Sequence, residues 1–292
     1  MSLPSDHPFA RGFPIPVVAM GPGSQEDETP CYLPMPQGMD TFAAPRLPET
    51  ADPAVLSAVA ARLHGFLDRM AAAGFARAAT VSEDLASLPP AEREALGQLL
   101  GFGEVSAYTV APRHWRVQET AFASLWRVLG LDERGAIIED RLQAGAMPPV
   151  LEEAMAATSS RELEPPAYPP GTMNAPALVQ ELRRQAAAYQ PGQPAHVINL
   201  TLLPVSEADL DTLYGWLGHR EVSILSRGYG NCRITSTRLA HVWWVQYFNT
   251  MDALILNTIE VVDMPEVALA AVEDFEDTLE RLRDYLTMLE SE

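Results

Sequence analysis

The sequence predicts an α+β fold: two tandem copies of one helix-plus-antiparallel-sheet unit, preceded by an extended proline-rich arm. Three observations carry this. The chain repeats itself, each copy places helices apart from a run of strands, and the first fifty residues are too rich in proline for a regular core element.

The repeat is the strongest of the three. Shifting the chain by 117 residues (221 − 104) aligns 100–150 with 217–267 without a gap, and fifteen of the 51 pairs are identical. Unrelated segments of average composition would share about three. The matches include Gly101 with Gly218, Glu104-Val105-Ser106 with Glu221-Val222-Ser223, Arg116 with Arg233, Trp126 with Trp243, Ile138 with Ile255, and Met147-Pro148 with Met264-Pro265. Upstream, Leu88-Pro89 answers Leu203-Pro204 at an offset of 115.

Residues 1–50 form the arm, with ten prolines between Pro4 and Pro48. Its apolar residues, among them Phe9, Phe13, Ile15, Val17 and Met20, exceed what a solvated tail carries, so it is expected to pack on the body or on a partner. Gly21-Pro-Gly-Ser24 reads either as a structural turn or as an anion nest, and without a phosphate-loop lysine the nest has little support.

The first unit spans 51–160. Leu56, Val59, Leu63, Phe66 and Met70 recur at steps of three and four, which predicts an amphipathic helix over about 54–72, with Pro53 at its start and Gly74 past its end. A second helix is expected at about 90–100 after Pro89 and Pro90, then strands to about 143, then a short helix opened by Pro148. A proline-rich linker, 161–174, leads to the second unit, 175–292. There Val272, Phe275, Leu279, Leu282, Leu286 and Leu289 make a heptad seam on a terminal helix, which packs either on its own domain or on a partner.

Composition bounds the chemistry. The 292 residues carry 39 acidic and 20 basic side chains, a net charge of −19, and every basic residue among the 20 is arginine. The absence of lysine removes Schiff-base, phosphate-loop and lysine-base mechanisms. The acidity disfavours nucleic acid and favours basic partners. No apolar run is long enough for a membrane helix and no secretory signal opens the chain, so the expected compartment is the cytoplasm. Cys31 and Cys232 are single thiols without a CxxC neighbour, and the six histidines are scattered. No GxSxG, HExxH or Rossmann fingerprint is present, so neither a catalytic set nor a resident cofactor is expected.

What stands out is the turn 227–233, Arg-Gly-Tyr-Gly-Asn-Cys-Arg, followed by the aromatic strand 243–249. Strand alternation puts Trp243, Val245 and Tyr247 on one face and Trp244, Gln246 and Phe248 on the other. Both faces are therefore covered, by the core, the arm, the sister copy or a partner.

These stretches, GYGNCRITST and VWWVQYFNTMDALILNTIEVVDMPEVALAA, closely resemble the C-terminal region of the HupH/HyaF/HoxQ family of hydrogenase expression and formation proteins. The arm agrees: Gly21–Gln25 and Met35-Pro-Gln-Gly-Met39 resemble the family's opening pattern. The first copy departs from the second, with Arg127 in place of Trp244 and 140–146 in place of the NTIEVVD stretch, so a surface built from those residues is expected only once.

The resemblance implies a non-catalytic maturation chaperone for uptake nickel–iron hydrogenase. It would bind the iron–sulfur small subunit precursor, beside a thioredoxin-like companion, during cluster insertion or protection from oxygen. Gly228, Tyr229, Gly230, Asn231, Cys232, Arg233, Trp243, Trp244, Gln246, Tyr247 and Asn249, with Gly21, Gly23, Gln25, Met35 and Met39 of the arm, are the expected protein-binding residues. Two other readings stay open: a metal or iron–sulfur carrier using Cys31 and Cys232, and a cofactor-processing enzyme.

Overall fold

The computed structural model describes Pro45 and residues 52–291 other than Arg220 and Tyr229. Asp52 caps α1 (Pro53–Ala73) by accepting from the Ala54 amide at 2.9 Å, and Pro53 sits in the first turn, where its missing N–H is no loss. The helix buries Val59, Leu63, Phe66 and Met70, the stripe that the spacing predicts. Then come β1 (Val81–Asp84), α2 (Pro90–Leu100), β2 (Val105–Thr109), β3 (His114–Glu119), β4 (Leu125–Leu131), β5 (Ile137–Ala144) and α3 (Val150–Thr158). The second copy runs α4 (Ala175–Ala188), β6 (His196–Asn199), α5 (Glu207–Leu217), β7 (Val222–Ser226), β8 (Asn231–Ser236), β9 (Val242–Phe248) and β10 (Leu254–Val261). A single 3-10 turn (Glu266–Ala268) and α6 (Val272–Ser291) follow.

Every boundary of α2, β2, β3, β4 and β5 recurs in α5, β7, β8, β9 and β10 at an offset of 117, as in 222 − 105. The duplication is therefore structural as well as sequential. The ten strands form one antiparallel sheet in the order β1-β5-β4-β3-β2-β7-β8-β9-β10-β6, so the two copies join through β2 and β7. In that central pair Ala107 stands opposite Ile224, its own equivalent in the other copy (107 + 117), and Val105 opposite Ser226 mirrors Thr109 opposite Val222. A pseudo-two-fold axis thus passes between Ala107 and Ile224. The two copies meet as the subunits of a symmetric dimer do, with the same surface on both sides.

Directly opposed residues of an antiparallel pair share a sheet face, which sorts the core into layers. One face carries Ala107, Val117, Trp126, Val128, Ile224, Ile234, Trp243 and Val245, packed with Val150, Leu151 and Met155 of α3. The other carries two separate clusters. Leu125 and Leu142 pack with α1 and α2, while Trp244 and Ile259 pack with α4 and α5.

Two differences break the symmetry. The short helix that closes the first copy shrinks to the one 3-10 turn in the second. And α6, which follows the second copy, crosses to the first: Phe275, Leu282 and Leu286 of the heptad seam lie in one cluster with Val59, Leu63 and Phe66 of α1. Phe75 meets Phe275 edge-on at 5.6 Å, and Thr278 Oγ1 donates to Ala123 O at 2.8 Å. From Phe275 onward the seam packs within this chain and ties the last helix to the first, while Val272 at its start is exposed.

Candidate protein-binding surface

The turn between β7 and β8 is held against the first copy. The Arg227 amide donates to Glu104 O at 3.2 Å, and a Cβ on Gly228 would stand 2.4 Å from Glu104 Oε2, so this position takes glycine unless Glu104 moves. Gly230 has φ +104°, a conformation that side-chain-bearing residues avoid. Both glycines are exposed. Tyr229 between them lies outside the described residues, as do Gly21, Gly23, Gln25, Met35, Met39 and Cys31.

From this turn the pleat distributes the candidates over both faces. Asn231, Arg233, Trp244 and Gln246 fall on the face that bears α4 and α5, and Cys232, Trp243 and Tyr247 on the face that bears α3. Arg233 lies over the Phe248 ring, its guanidinium carbon 4.4 Å from the centroid, with Asp252 Oδ1 4.0 Å away. Asn249 closes the β9–β10 hairpin, its Oδ1 accepting from the Met251 and Ala253 amides at 2.9 Å each.

The two tryptophans are core. Trp243 is 0% exposed and its indole donates to Val262 O and Asp263 O at 3.2 and 3.1 Å. Trp244 is 1% exposed, stacks on Tyr214 at 4.1 Å between centroids, and donates to Asn257 Oδ1. Gln246 Nε2 in turn donates to Tyr214 Oη at 3.1 Å. Cys232 is also buried. In this fold Trp243, Trp244 and Cys232 offer no surface to a partner, which corrects their expected role as contacts: each is consumed by its own layer. Gly228, Gly230, Asn231, Arg233, Gln246, Tyr247 and Asn249 keep some exposure.

Cys232 pairs with Tyr247 across β8 and β9. Burial pushes its thiol up to about 12, and burial likewise raises the Tyr247 phenol, reinforced by Cys232 and Glu260. A protonated, buried thiol is a poor metal ligand. Among the described residues no group of three or more His, Cys, Asp or Glu is placed to hold a metal ion. No helix among them is long and apolar enough to cross a membrane.

Features that sequence reasoning missed lie elsewhere. Glu119, on β3, is 7% exposed, and burial pushes its carboxyl up to about 7 against amide hydrogen bonds from Val105, Ser124 and Glu104. A cavity opens beneath α2, lined by Leu85, Leu96, Leu100, Phe102 and Arg127. Two of its lining residues, Gly97 and Arg127, stand where the second copy has the stacked Tyr214 and Trp244 (97 + 117 and 127 + 117). Val197, Leu202, Met251 and Ile255 are half or more exposed. Comparing the two copies position by position is the signal that would have found the cavity.

The family model for the HupH hydrogenase expression protein, C-terminal conserved region, matches twice, over residues 51–162 and 172–289. The chain is 44% identical over 278 residues to the hydrogenase expression/formation protein HoxQ of Cupriavidus necator, covering 94% of this chain and 98% of that one. It is 46% identical over 290 residues to the hydrogenase expression/formation protein HupH of Rhodobacter capsulatus, covering 95% and 98%. A solved structure of the hydrogenase expression protein HupH from Thiobacillus denitrificans aligns with 29% identity and a TM-score of 0.34, over 38% of this chain and 92% of that one.

Proposed function

Because this chain belongs to the HupH hydrogenase expression protein family, we propose that it serves hydrogenase maturation as a non-catalytic chaperone of the iron–sulfur small subunit precursor. The observation that carries the maturation role is that relatives matching 94% and 95% of its length are named hydrogenase expression/formation proteins. The complex would form in the cytoplasm during cluster insertion or protection from oxygen, with a thioredoxin-like companion beside it.

Two properties of the chain support protein binding. A net charge of −19 steers basic partners by long-range attraction. The rim made by Gly228, Gly230, Asn231, Arg233 and Asn249 joins two hairpin ends next to the first copy's Glu104, so one surface draws on both repeats. A carrier role through Cys232 would need its buried thiol to be exposed and ionised.

The test is capture of the small subunit precursor, made with and without its signal peptide, by the tagged full-length chain. Capture that weakens as salt rises from 50 to 500 mM and falls in Asn231→Arg, which adds positive charge to the rim, is the expected result. A complex indifferent to salt would sink the electrostatic part, and no capture of either form would sink the chaperone role.

A further inference from the structure

The two edges of the ten-stranded sheet are equivalent by the repeat, yet they are treated in opposite ways. At one edge, β1 reads Val81-Ser-Glu-Asp84, and Glu83 is paired with Arg62, at 2.8 Å, and with Arg69. Charges of this kind keep an edge strand from pairing with another chain. At the other edge, β6 reads His196-Val-Ile-Asn199 and carries no acid. At the offset of 115 that relates these strands (196 − 81), Ser82, Glu83 and Asp84 become Val197, Ile198 and Asn199, and Ser87 becomes Leu202.

β6 pairs with β10 on one side, Glu260 opposite Val197, and with no strand on its other side among the described residues. Val197 is 50% exposed and Leu202 80%. The segment after β6 stays beside β10, since the Leu200 amide donates to Asn257 O at 2.9 Å and Thr201 Oγ1 accepts from the Asn257 amide at 2.8 Å. Leu202 lies in the turn that follows, its amide donating to Asn199 O at 3.3 Å, and Ile255 near the start of β10 is 57% exposed. An unguarded strand flanked by exposed aliphatic side chains is the geometry used to add a strand from another polypeptide: main-chain hydrogen bonds give affinity and alternate side chains give register.

We infer that β6 is a docking edge for an extended, apolar partner segment flanked by basic residues. Charge decides the occupant. A second copy would bring two chains of −19 together, whereas basic flanks meet Glu260 opposite Val197 and Glu181, which holds His196 at 2.8 Å. This inference rests on the chaperone role above and names the surface and the kind of segment that role would use.

The test is fluorescence anisotropy with a labelled twelve-residue peptide of alternating valine and threonine, flanked by two arginines at each end. The full-length chain is expected to bind it, with at least tenfold weaker binding in Val197→Lys and in Leu202→Lys. Both positions are exposed, so both variants should melt like the parent. Ser82→Lys on the opposite edge should change nothing, and N-methylation of alternate peptide amides or glutamate flanks should abolish binding. Equal binding by Val197→Lys, or preference for the glutamate-flanked peptide, would overturn the inference. So would concentration-dependent dimers, seen by light scattering, that Val197→Lys dissolves, since the occupant would then be a second copy. Precursor capture that survives Val197→Lys undiminished rejects this edge and leaves the chaperone role standing; no capture by the parent rejects that role first.

Discussion

Arg127 grips Asp140 with two hydrogen bonds, Nε to Oδ1 at 3.1 Å and Nη2 to Oδ2 at 2.8 Å, at the positions where the second copy has Trp244 donating to Asn257. The repeat kept a cross-strand partnership and changed its chemistry. Asp140 is 1% exposed, and Gly97 above it leaves room for the guanidinium, a Cβ there standing 3.0 Å from Nη1. Removing one member of such a pair strands the other charge.

Asp140→Ala should therefore cost about 3 kcal/mol, the low end for a buried pair because Arg127 is partly exposed. Urea unfolding measures it. Installing the second copy's set, Gly97→Tyr, Arg127→Trp and Asp140→Asn together, should recover most of that loss and fill the cavity under α2.

Asp209 is a hub of another kind. Fully buried, its Oδ1 accepts from the amides of Met173, Asn174 and Ala175, and its Oδ2 from the Ser206 amide and hydroxyl, all at 2.8 or 2.9 Å. Burial alone would raise its pKa, but donation from Ser206, Ala175 and Met173 outweighs that and holds it below the ordinary value. A lowered carboxylate pKa contributes stability above the unfolded value, about 3.9, that is lost as pH falls through the folded one. Asp209→Ala should cost about 3 kcal/mol or more by leaving buried donors unmet. Its stability should also fall less than the parent's below pH 4, read from urea midpoints.

Glu119 acts with the opposite sign. Its carboxyl is raised from 4.5 to about 7, so the folded state holds its proton more tightly than the unfolded state does. The stability associated with the protonated form is complete below about pH 4.5 and is lost as pH rises through about 7. Glu119→Gln should stabilise the protein at pH 8 by about 3 kcal/mol, since each tenfold change in proton affinity is worth roughly 1.4 kcal/mol, and have little effect at pH 4.5. Thermal melts of both proteins across that range check it.

How much of this was legible in the residues follows from which forces act locally. The duplicated run carried the strand positions because turns and alternation are local, and Trp243 and Trp244 fell on opposite faces as alternation requires. Coverage is not local. Nothing near Trp244 in sequence announces Tyr214 stacked on it, so a buried tryptophan read as a contact residue. The heptad seam of α6 showed a stripe that must be covered, but not that α1, some two hundred residues earlier, covers it. The contrast between β1 and β6 was written in both copies and needed the sheet order to show that both are edges.

Cys232 should behave as an inert thiol. With its pKa pushed up to about 12, its thiolate at pH 8 is rarer by about three orders of magnitude than that of a free cysteine. In the native protein a thiol–disulfide reagent should titrate no more than one of the two cysteines promptly, and both in denaturant. Rapid native labelling of Cys232, mapped by peptide mass, would show that β8 and β9 open.

In the proposed role this chain binds a hydrogenase subunit before that subunit is complete. The most direct measurement is affinity capture of the small subunit precursor by the full-length chain at low and high salt. Stoichiometric capture at 50 mM salt that fades by 500 mM is the predicted result. Failure to retain the precursor at either salt, from a protein that melts as a folded chain, would contradict it.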